Sequence, residues 1–261
     1  MDQEKTWQFF YEIFDSSLLR LGPGDDAHTT KALNLLLEAR RRGQAVSGPG
    51  KLKVLDIGCG TGAQTIQLAS QIDGTILAVD NHQSYLDALQ RRAQAEGVAH
   101  KIRPCLKNMA DLGLENGFFD LIWSEGALSL MGFREGLVMC NKLLAAGGMM
   151  AVSELCWFRP DPPEDCRQFF AEHYPAMADV DANLAMIADC GYDFLGYFTL
   201  PESCWLKDFY VPLEQRIQSF RKTWAEDPER MAVADAIQLE IEIYRKHSRY
   251  YGYVFCLMGK S

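Results

Sequence analysis

The chain has 261 residues, of which 48% are apolar and 23% charged. That is long enough for a sizeable core and too apolar for a disordered chain. The formal net charge of −9 argues against binding nucleic acid through its phosphates, which calls for a basic face, and no apolar run approaches the roughly 20 residues that span a bilayer.

The opening stretch, MDQEKTWQFF, is polar and acidic rather than basic and then apolar, as a secretory leader would be. Eight cysteines are scattered without a CxxC pair or any His/Cys spacing typical of zinc, so a reducing cytoplasm and no metal are expected. An aromatic-rich helical segment, WQFFYEIFDSSLL, leads into the turn RLGPGDD. Residues 28–42 read as a helix with Ala32, Leu35, Leu36 and Ala39 on one face. Its end, Arg40, Arg41 and Arg42 before Gly43, is a cationic last turn with a glycine stop. Residues 43–50 are a loop by composition.

From residue 51 the pattern alternates. The strand runs are KVLDI (53–57), TILAVD (75–80), KIRPCLK (101–107), FDLIWSE (119–125) and GMMAVSE (148–154). Amphipathic stretches separate them, one with Leu86, Leu89 and Ala93, another with Leu137, Cys140 and Leu144. This alternation indicates βαβ units and a doubly wound, mostly parallel α/β sheet. Pro104 cannot donate to a ladder, so its strand belongs at an edge. Residues 163–191 look helical, DFLGYFTLP (193–201) is a sixth strand, and YGYVFCLMG (251–259) is apolar enough to be buried on both faces. That last strand is expected to be interior and antiparallel in a seven-stranded sheet. Residues 202–249 form a helical insertion between the last two strands, too long for a simple connection.

VLDIGCGTGAQT (54–65) is a strand, a glycine turn and the start of a helix. Gly58, Gly60 and Gly62 provide positive φ or close approach to a ligand. Asp80 ends the next strand, where a carboxylate can accept from ribose hydroxyls. Taken alone, Gly58-x-Gly60-x-x-Ala63 also satisfies the dinucleotide fingerprint, which leaves an NAD-linked oxidoreductase open. There is no HExxH helix, GxSxG elbow or Walker A lysine.

The segments VLDIGCGTG, LAVD, LKNMADLGLENGFFDLIWSEGAL and LLAAGGMMAVSE, in that order, resemble the class I S-adenosylmethionine-dependent methyltransferases. Within that family the chain is most similar to the small-molecule branch that includes quinone-biosynthesis-type enzymes. The resemblance implies a Rossmann-like methyltransferase fold, S-adenosylmethionine as cofactor and S-adenosylhomocysteine as product. It implies that Asp56 orients the methionine end and that Gly58, Cys59, Gly60 and Gly62 pass beside the adenosyl–methionine junction. Asp80 and Asn81 would hold the ribose, Asn108 and Met109 the adenine. Ser124, Glu125 and Gly126 would lie near the sulfonium, with the helix carrying Tyr11 and the RLGPG turn as a lid. The family often carries Asp where this chain has Asn108. A tetrapeptide of the NPPY type is missing after the fourth strand, where SEGA stands instead, which disfavours a nucleic-acid or protein substrate.

The domain division expected is a single unit over 1–261. It comprises a lid (1–50), a core (51–201 plus 250–261) and the insertion (202–249) as a cap over a small-molecule acceptor. Glu125 is the candidate catalytic base. Glu154, Trp157, Trp205, Tyr210 and Tyr251 are the main substrate candidates, with His173, Tyr174 and Tyr250 behind them. An alternative role for the insertion is an oligomer interface, since Ile237, Ile241 and Tyr244 share one helical face; that would make a homodimer. A scaffold that binds the cofactor without turnover also fits the motifs.

Overall fold

The computed structural model describes residues 3–43 and 50–261. The loop expected over 43–50 falls almost wholly outside them. Helix α1 (Gln3–Ile13) and helix α2 (Asp26–Arg41) precede the sheet. Asp25 caps α2 by accepting from the His28 backbone amide at 2.7 Å. Gly43, at φ +76°, follows the arginine-rich last turn as expected.

Seven strands follow: β1 (Leu52–Ile57), β2 (Gly74–Asp80), β3 (Ile102–Leu106), β4 (Phe119–Glu125), β5 (Leu144–Trp157), β6 (Tyr192–Thr199) and β7 (Tyr251–Lys260). Their order is β3-β2-β1-β4-β5-β7-β6. The Pro104 strand is at an edge, paired only with β2. Strand β7 is interior and runs antiparallel to both β5 and β6. Strand β5 is longer than its sequence run because it continues into Leu155, Cys156 and Trp157, all paired with β7.

Helices α3 (Ala63–Gln71), α4 (Gln83–Ala95), α5 (Phe133–Leu143), α6 (Glu164–His173) and α7 (Val180–Asp189) connect the strands. The helical stretch expected over 163–191 is two helices. Pro175 falls in the gap, where it cannot continue the first helix, and Asp179 caps α7 through the Ala182 amide at 2.8 Å. Strand alternation supplies two apolar faces. Leu52, Val54, Ile76 and Ala78 pack with α2, α3 and α4. Leu55, Ile57, Val79 and Ile122 pack with α5 and Ile187 of α7. Both faces are covered, as a parallel sheet requires.

The insertion consists of α8 (Glu202–Trp205), a π-helical turn (Leu206–Tyr210), α9 (Val211–Thr223) and α10 (Pro228–His247). Asp227 caps α10 through the Arg230 amide at 3.0 Å, with Pro228 in the first turn. A third apolar cluster joins this insertion to the N-terminal segment, through Phe9, Ile13 and Phe14 on one side and Phe209, Leu213 and Ile217 on the other. Ile237, Ile241 and Tyr244 are buried in that same cluster. The face expected to make a homodimer is therefore spent inside the chain, and the ground for a dimer through it is removed. Among the described residues no helix is long and apolar enough to cross a membrane.

Candidate functional site

The carboxyl ends of β1, β2, β3 and β4 meet where the strand order reverses between β1 and β4. Open α/β sheets bind ligands at such a point. The glycine turn leaves β1 with Gly58 at φ +70° and Gly60 at φ +53°. The Gly58 and Cys59 amides both donate to Val79 O, at 2.9 and 3.0 Å, which ties the turn to the end of β2. A Cβ on Gly58 would stand 2.4 Å from Ala127 Cβ, so this position admits only glycine. Cys59 is buried, and burial pushes its thiol well above the usual range.

Asp80 faces the turn. Its Oδ2 accepts from the Gly60 amide and its Oδ1 from the His82 amide, both at 2.9 Å. Burial raises its pKa against those two hydrogen bonds. Asn81 is exposed beside it. Asp56 is fully buried on the α3 side, where Thr65 Oγ1 donates to its Oδ2 at 2.6 Å. Its Oδ1 is buried without a partner, and burial raises its pKa to about 7. Past β3, Asn108 is exposed and accepts from the Ala110 amide at 2.9 Å, shaping its own loop. Met109 reaches toward Gly58, its Cε 3.7 Å from where a Cβ there would be.

At the end of β4, Ser124 is buried and its hydroxyl donates to Ile57 O at 3.0 Å, a cross-strand tie. Glu125 is saturated. Its Oε1 accepts from Thr29 Oγ1 at 2.7 Å and Trp123 Nε1 at 2.9 Å, and its Oε2 from Arg20 Nη1 at 3.3 Å. Arg20 and Glu125 side chains are 5% and 6% exposed, so this ion pair is buried. The geometry makes Glu125 an anchor for the N-terminal segment instead of a free base.

That segment lies over the turn. Leu21 Cδ1 would be 3.1 Å from a Cβ on Gly60. Thr61 Oγ1 donates to the Leu18 and Leu19 carbonyls at 3.1 and 2.8 Å. Arg92 of α4 donates to both of those carbonyls and to Thr61 O at 3.0–3.1 Å. Tyr11 stacks on His82 with ring centroids 4.3 Å apart. Its phenol pKa is raised by burial and by the Asp80 charge. Tyr85 donates to Phe14 O. The insertion grips the same segment: Arg216 donates to the Glu12 and Ile13 carbonyls at the end of α1, and Arg230 pairs with Glu12 at 3.0 Å. Arg20, Arg92 and Arg216 were not candidates from the sequence, because each acts on a carbonyl or carboxylate distant in the chain.

Under the insertion, Trp205, Tyr210 and Tyr251 gather in one aromatic cluster with Tyr244. Trp205 stacks on Tyr244 at 4.2 Å and lies 6.2 Å from Tyr251. Tyr210 is fully buried with its hydroxyl donating to Glu240 at 2.8 Å, which places it inside the cap. Trp157 is half-buried at the edge, 6.1 Å from Tyr251. Trp205 Nε1 and Tyr251 Oη are buried without partners. Tyr253 was missed in the sequence. Its ring is 5.2 Å from Trp205, and its hydroxyl would be 3.1 Å from a Cβ on Gly126, so it links the cluster to the exit of β4.

Glu154 alternates onto the other face of β5, with Val152 and Cys156. Its Oε1 accepts from Tyr174 Oη at 2.8 Å while Oε2 is buried without a partner. Burial pushes its carboxyl up to about 7. Tyr174 lines a cavity of about 160 Å³ with Ser129, Phe133 and Asn183. His173 is a helix-end histidine bonded to Phe169 O at 2.8 Å. Tyr250 is buried, with the Arg159 and Arg249 guanidinium groups over its ring.

A methyltransferase-domain family model matches residues 54–148, which span the glycine turn, Asp80 and the β4 exit. An O-methyltransferase, rstn1, of Aspergillus nomiae is 23% identical over 189 residues, covering 70% of this chain and 83% of its own length. A sterol 24-C-methyltransferase, erg6, of Aspergillus fumigatus is 22% identical over 183 residues. That match covers 66% of this chain and 48% of the sterol enzyme, so it spans about half of that protein. Among solved structures, a methyltransferase of Geobacter sulfurreducens in complex with S-adenosylhomocysteine has a TM-score of 0.70 at 19% identity, over 86% of this chain and 91% of its own. The [4+2]-cyclase SpnF has a TM-score of 0.71 at 17% identity, over 98% and 94%.

Proposed function

We propose that the chain is a class I S-adenosylmethionine-dependent methyltransferase, a reading supported by the family match over residues 54–148, and that it methylates a small-molecule acceptor held between the β4 exit and the helical cap. The observation that carries this is the lidded crevice. The glycine turn, Asp80, Met109 and Gly126 converge at four strand ends, and the segment tied by Arg20 and Arg92 covers them.

The residues present fit the cofactor. Gly58 and Gly60 offer backbone a ligand can approach closely. Asp80 would hold the ribose, with Asn81 beside it, and the unpartnered Asp56 Oδ1 leaves a polar atom for the methionine end. Asn108 and Met109 would border the adenine. When bound, S-adenosylmethionine supplies an electrophilic methyl group on a cationic sulfur. What the chain adds is alignment and exclusion of water. On this reading the lid is narrower than the N-terminal 50 residues: it is the segment from α1 to Asp25, because α2 packs on the sheet through Leu33 and Leu36, and 202–249 both clamps that lid and walls the acceptor site.

The acceptor is expected against Tyr253, Trp205 and Tyr251, with Trp157 at the rim. Two buried polar groups there lack partners, a cost of about 1–3 kcal/mol each that a polar acceptor would offset. Glu154, turned to the other face of β5 and bonded to Tyr174, is not part of this acceptor wall. The acidic balance and eight free cysteines support a cytoplasmic enzyme without nucleic-acid substrates.

A panel of phenolic and small polar metabolites, incubated with S-adenosylmethionine and screened for S-adenosylhomocysteine release, tests the proposal. Tyr253→Phe should raise the KM of any hit while leaving cofactor affinity unchanged. Cofactor binding without release for every acceptor would favour binding without transfer, a reading the [4+2]-cyclase neighbour keeps in view.

A further inference from the structure

We propose that Asp25, His28 and Cys204 form a binding site for one zinc-class divalent ion that fastens the lid to the insertion. Asp25 and His28 are three positions apart, but Cys204 lies 176 positions from His28, so no sequence spacing announces the set. Cys204 Sγ stands 3.2 Å from Asp25 Oδ2 and 3.4 Å from His28 Nδ1, and His28 Nδ1 stands 2.7 Å from Asp25 Oδ1. Zinc binds imidazole nitrogen at about 2.0–2.1 Å and thiolate at about 2.3 Å, so adjacent donors of a tetrahedral site are about 3.4–3.6 Å apart. The sulfur–nitrogen edge, at 3.4 Å, is already near that length. The carboxylate meets sulfur through Oδ2 and nitrogen through Oδ1, so one of its oxygens must turn between them to complete the triangle; one donor atom of each residue already lies within 4.8 Å of the other two.

One nitrogen, one sulfur and one carboxylate make a borderline-soft set. Magnesium and calcium prefer oxygen alone. Cys204 is buried, whereas the His28 and Asp25 side chains are 23% and 25% exposed, which leaves an open side for a water as fourth ligand.

The helix cap at Asp25 does not account for the arrangement. Capping needs only the carboxylate and the His28 backbone amide; it does not call for an imidazole and a thiol aimed at the same carboxylate. A nucleophilic relay does not fit either. There the base serves its two partners through separate ring nitrogens, and here Nδ1 alone faces both Asp25 and Cys204.

The binding step balances without a redox partner. Bonds form from the ion to sulfur, to Nδ1 and to a carboxylate oxygen. The Cys204 thiol proton leaves to solvent, and the imidazole proton that Nδ1 now donates to Asp25 Oδ1 moves through solvent to Nε2, which frees the Nδ1 lone pair for the ion. Thiolate and carboxylate then offset the two positive charges. The existing contact between the segments, Gly24 N to Cys204 O at 3.1 Å, would be reinforced by coordination.

Cobalt(II) titration of the chelator-stripped full chain is the test. The expected result is one equivalent bound, with the visible d–d bands of a tetrahedral site and a thiolate-to-cobalt band in the near ultraviolet. Zinc should displace the cobalt and raise Tm. Cys204→Ser should lose the charge-transfer band, and His28→Gln should weaken binding about tenfold or more, the least that disturbing a metal ligand's support costs. A wild-type chain with no thiolate band, or with less than one equivalent of zinc, overturns the site without recourse to any variant. An unchanged band in Cys204→Ser overturns it as well.

Discussion

Replacing Glu125 with Gln separates the two roles this residue was given. In the sequence it was a candidate base; in the structure its carboxylate accepts from Arg20, Thr29 and Trp123. Gln keeps one acceptor oxygen, enough for Thr29 and Trp123, and turns an NH₂ toward the Arg20 guanidinium. Arg20 then keeps only Asp26, a partner that is 67% exposed. Removing one member of a buried pair costs about 3–5 kcal/mol. The lower end, about 3 kcal/mol, is expected because Asp26 remains. At roughly 2–4 °C per kcal/mol for a chain of this size, Tm falls by about 6–12 °C. Differential scanning calorimetry gives the shift, and limited proteolysis should show earlier cleavage near the RLGPG turn. If Tm holds and turnover vanishes with cofactor affinity intact, Glu125 is a catalytic group and the anchoring account is wrong.

Gly58→Ala is expected to be far worse than Gly60→Ala. Both pay about 1–2 kcal/mol for left-handed backbone, but only Gly58 adds a 2.4 Å clash with Ala127, another ~1–3 kcal/mol. Equal melting temperatures for the two variants would contradict this. Tyr210→Ala should destabilise the fold by about 3–5 kcal/mol, as large buried aromatics do, so it should fail in thermal melts before it fails in kinetics. The pH dependence has a definite sign. Asp56 and Glu154 are both raised to about 7 by burial, so the folded chain holds protons that the unfolded chain releases. The contribution of these two groups to stability is therefore full below about pH 4 and falls as pH rises through 7, by up to about 1.4 kcal/mol per pH unit for each group. Denaturant melts of Glu154→Gln between pH 5 and 7 should show a flatter slope than wild type; an identical slope would mean Glu154 is ionised throughout.

The sheet was legible because its signals are local. Pro104 marked an edge strand, and the apolar run at 251–259 marked an interior one. The glycine turn and Asp80 were legible for the same reason, each ending a strand. What escaped notice depends on contacts between distant parts of the chain. Nothing near Glu125 in sequence reveals that Arg20 and Thr29 occupy it, and nothing near Cys204 reveals Asp25 and His28. The face of Ile237, Ile241 and Tyr244 was correctly apolar, but periodicity cannot say whether the covering surface is another molecule or the same chain's N-terminal segment. Tyr253 was overlooked inside a continuous apolar strand, where its position beside Gly126 is a matter of register with β5.

Calorimetric titration with S-adenosylhomocysteine, on wild type and on Asp80→Ala, bears most directly on the cofactor site. Charge-assisted hydrogen bonds are worth about 1.5–3 kcal/mol, so loss of the ribose contact should weaken binding roughly tenfold or more, while NAD should not compete in either protein. Wild-type binding at one equivalent, weakened in Asp80→Ala, is the result expected of a methyltransferase with its ribose at the end of β2. An absence of wild-type binding, or equal affinity in the two proteins, would contradict it.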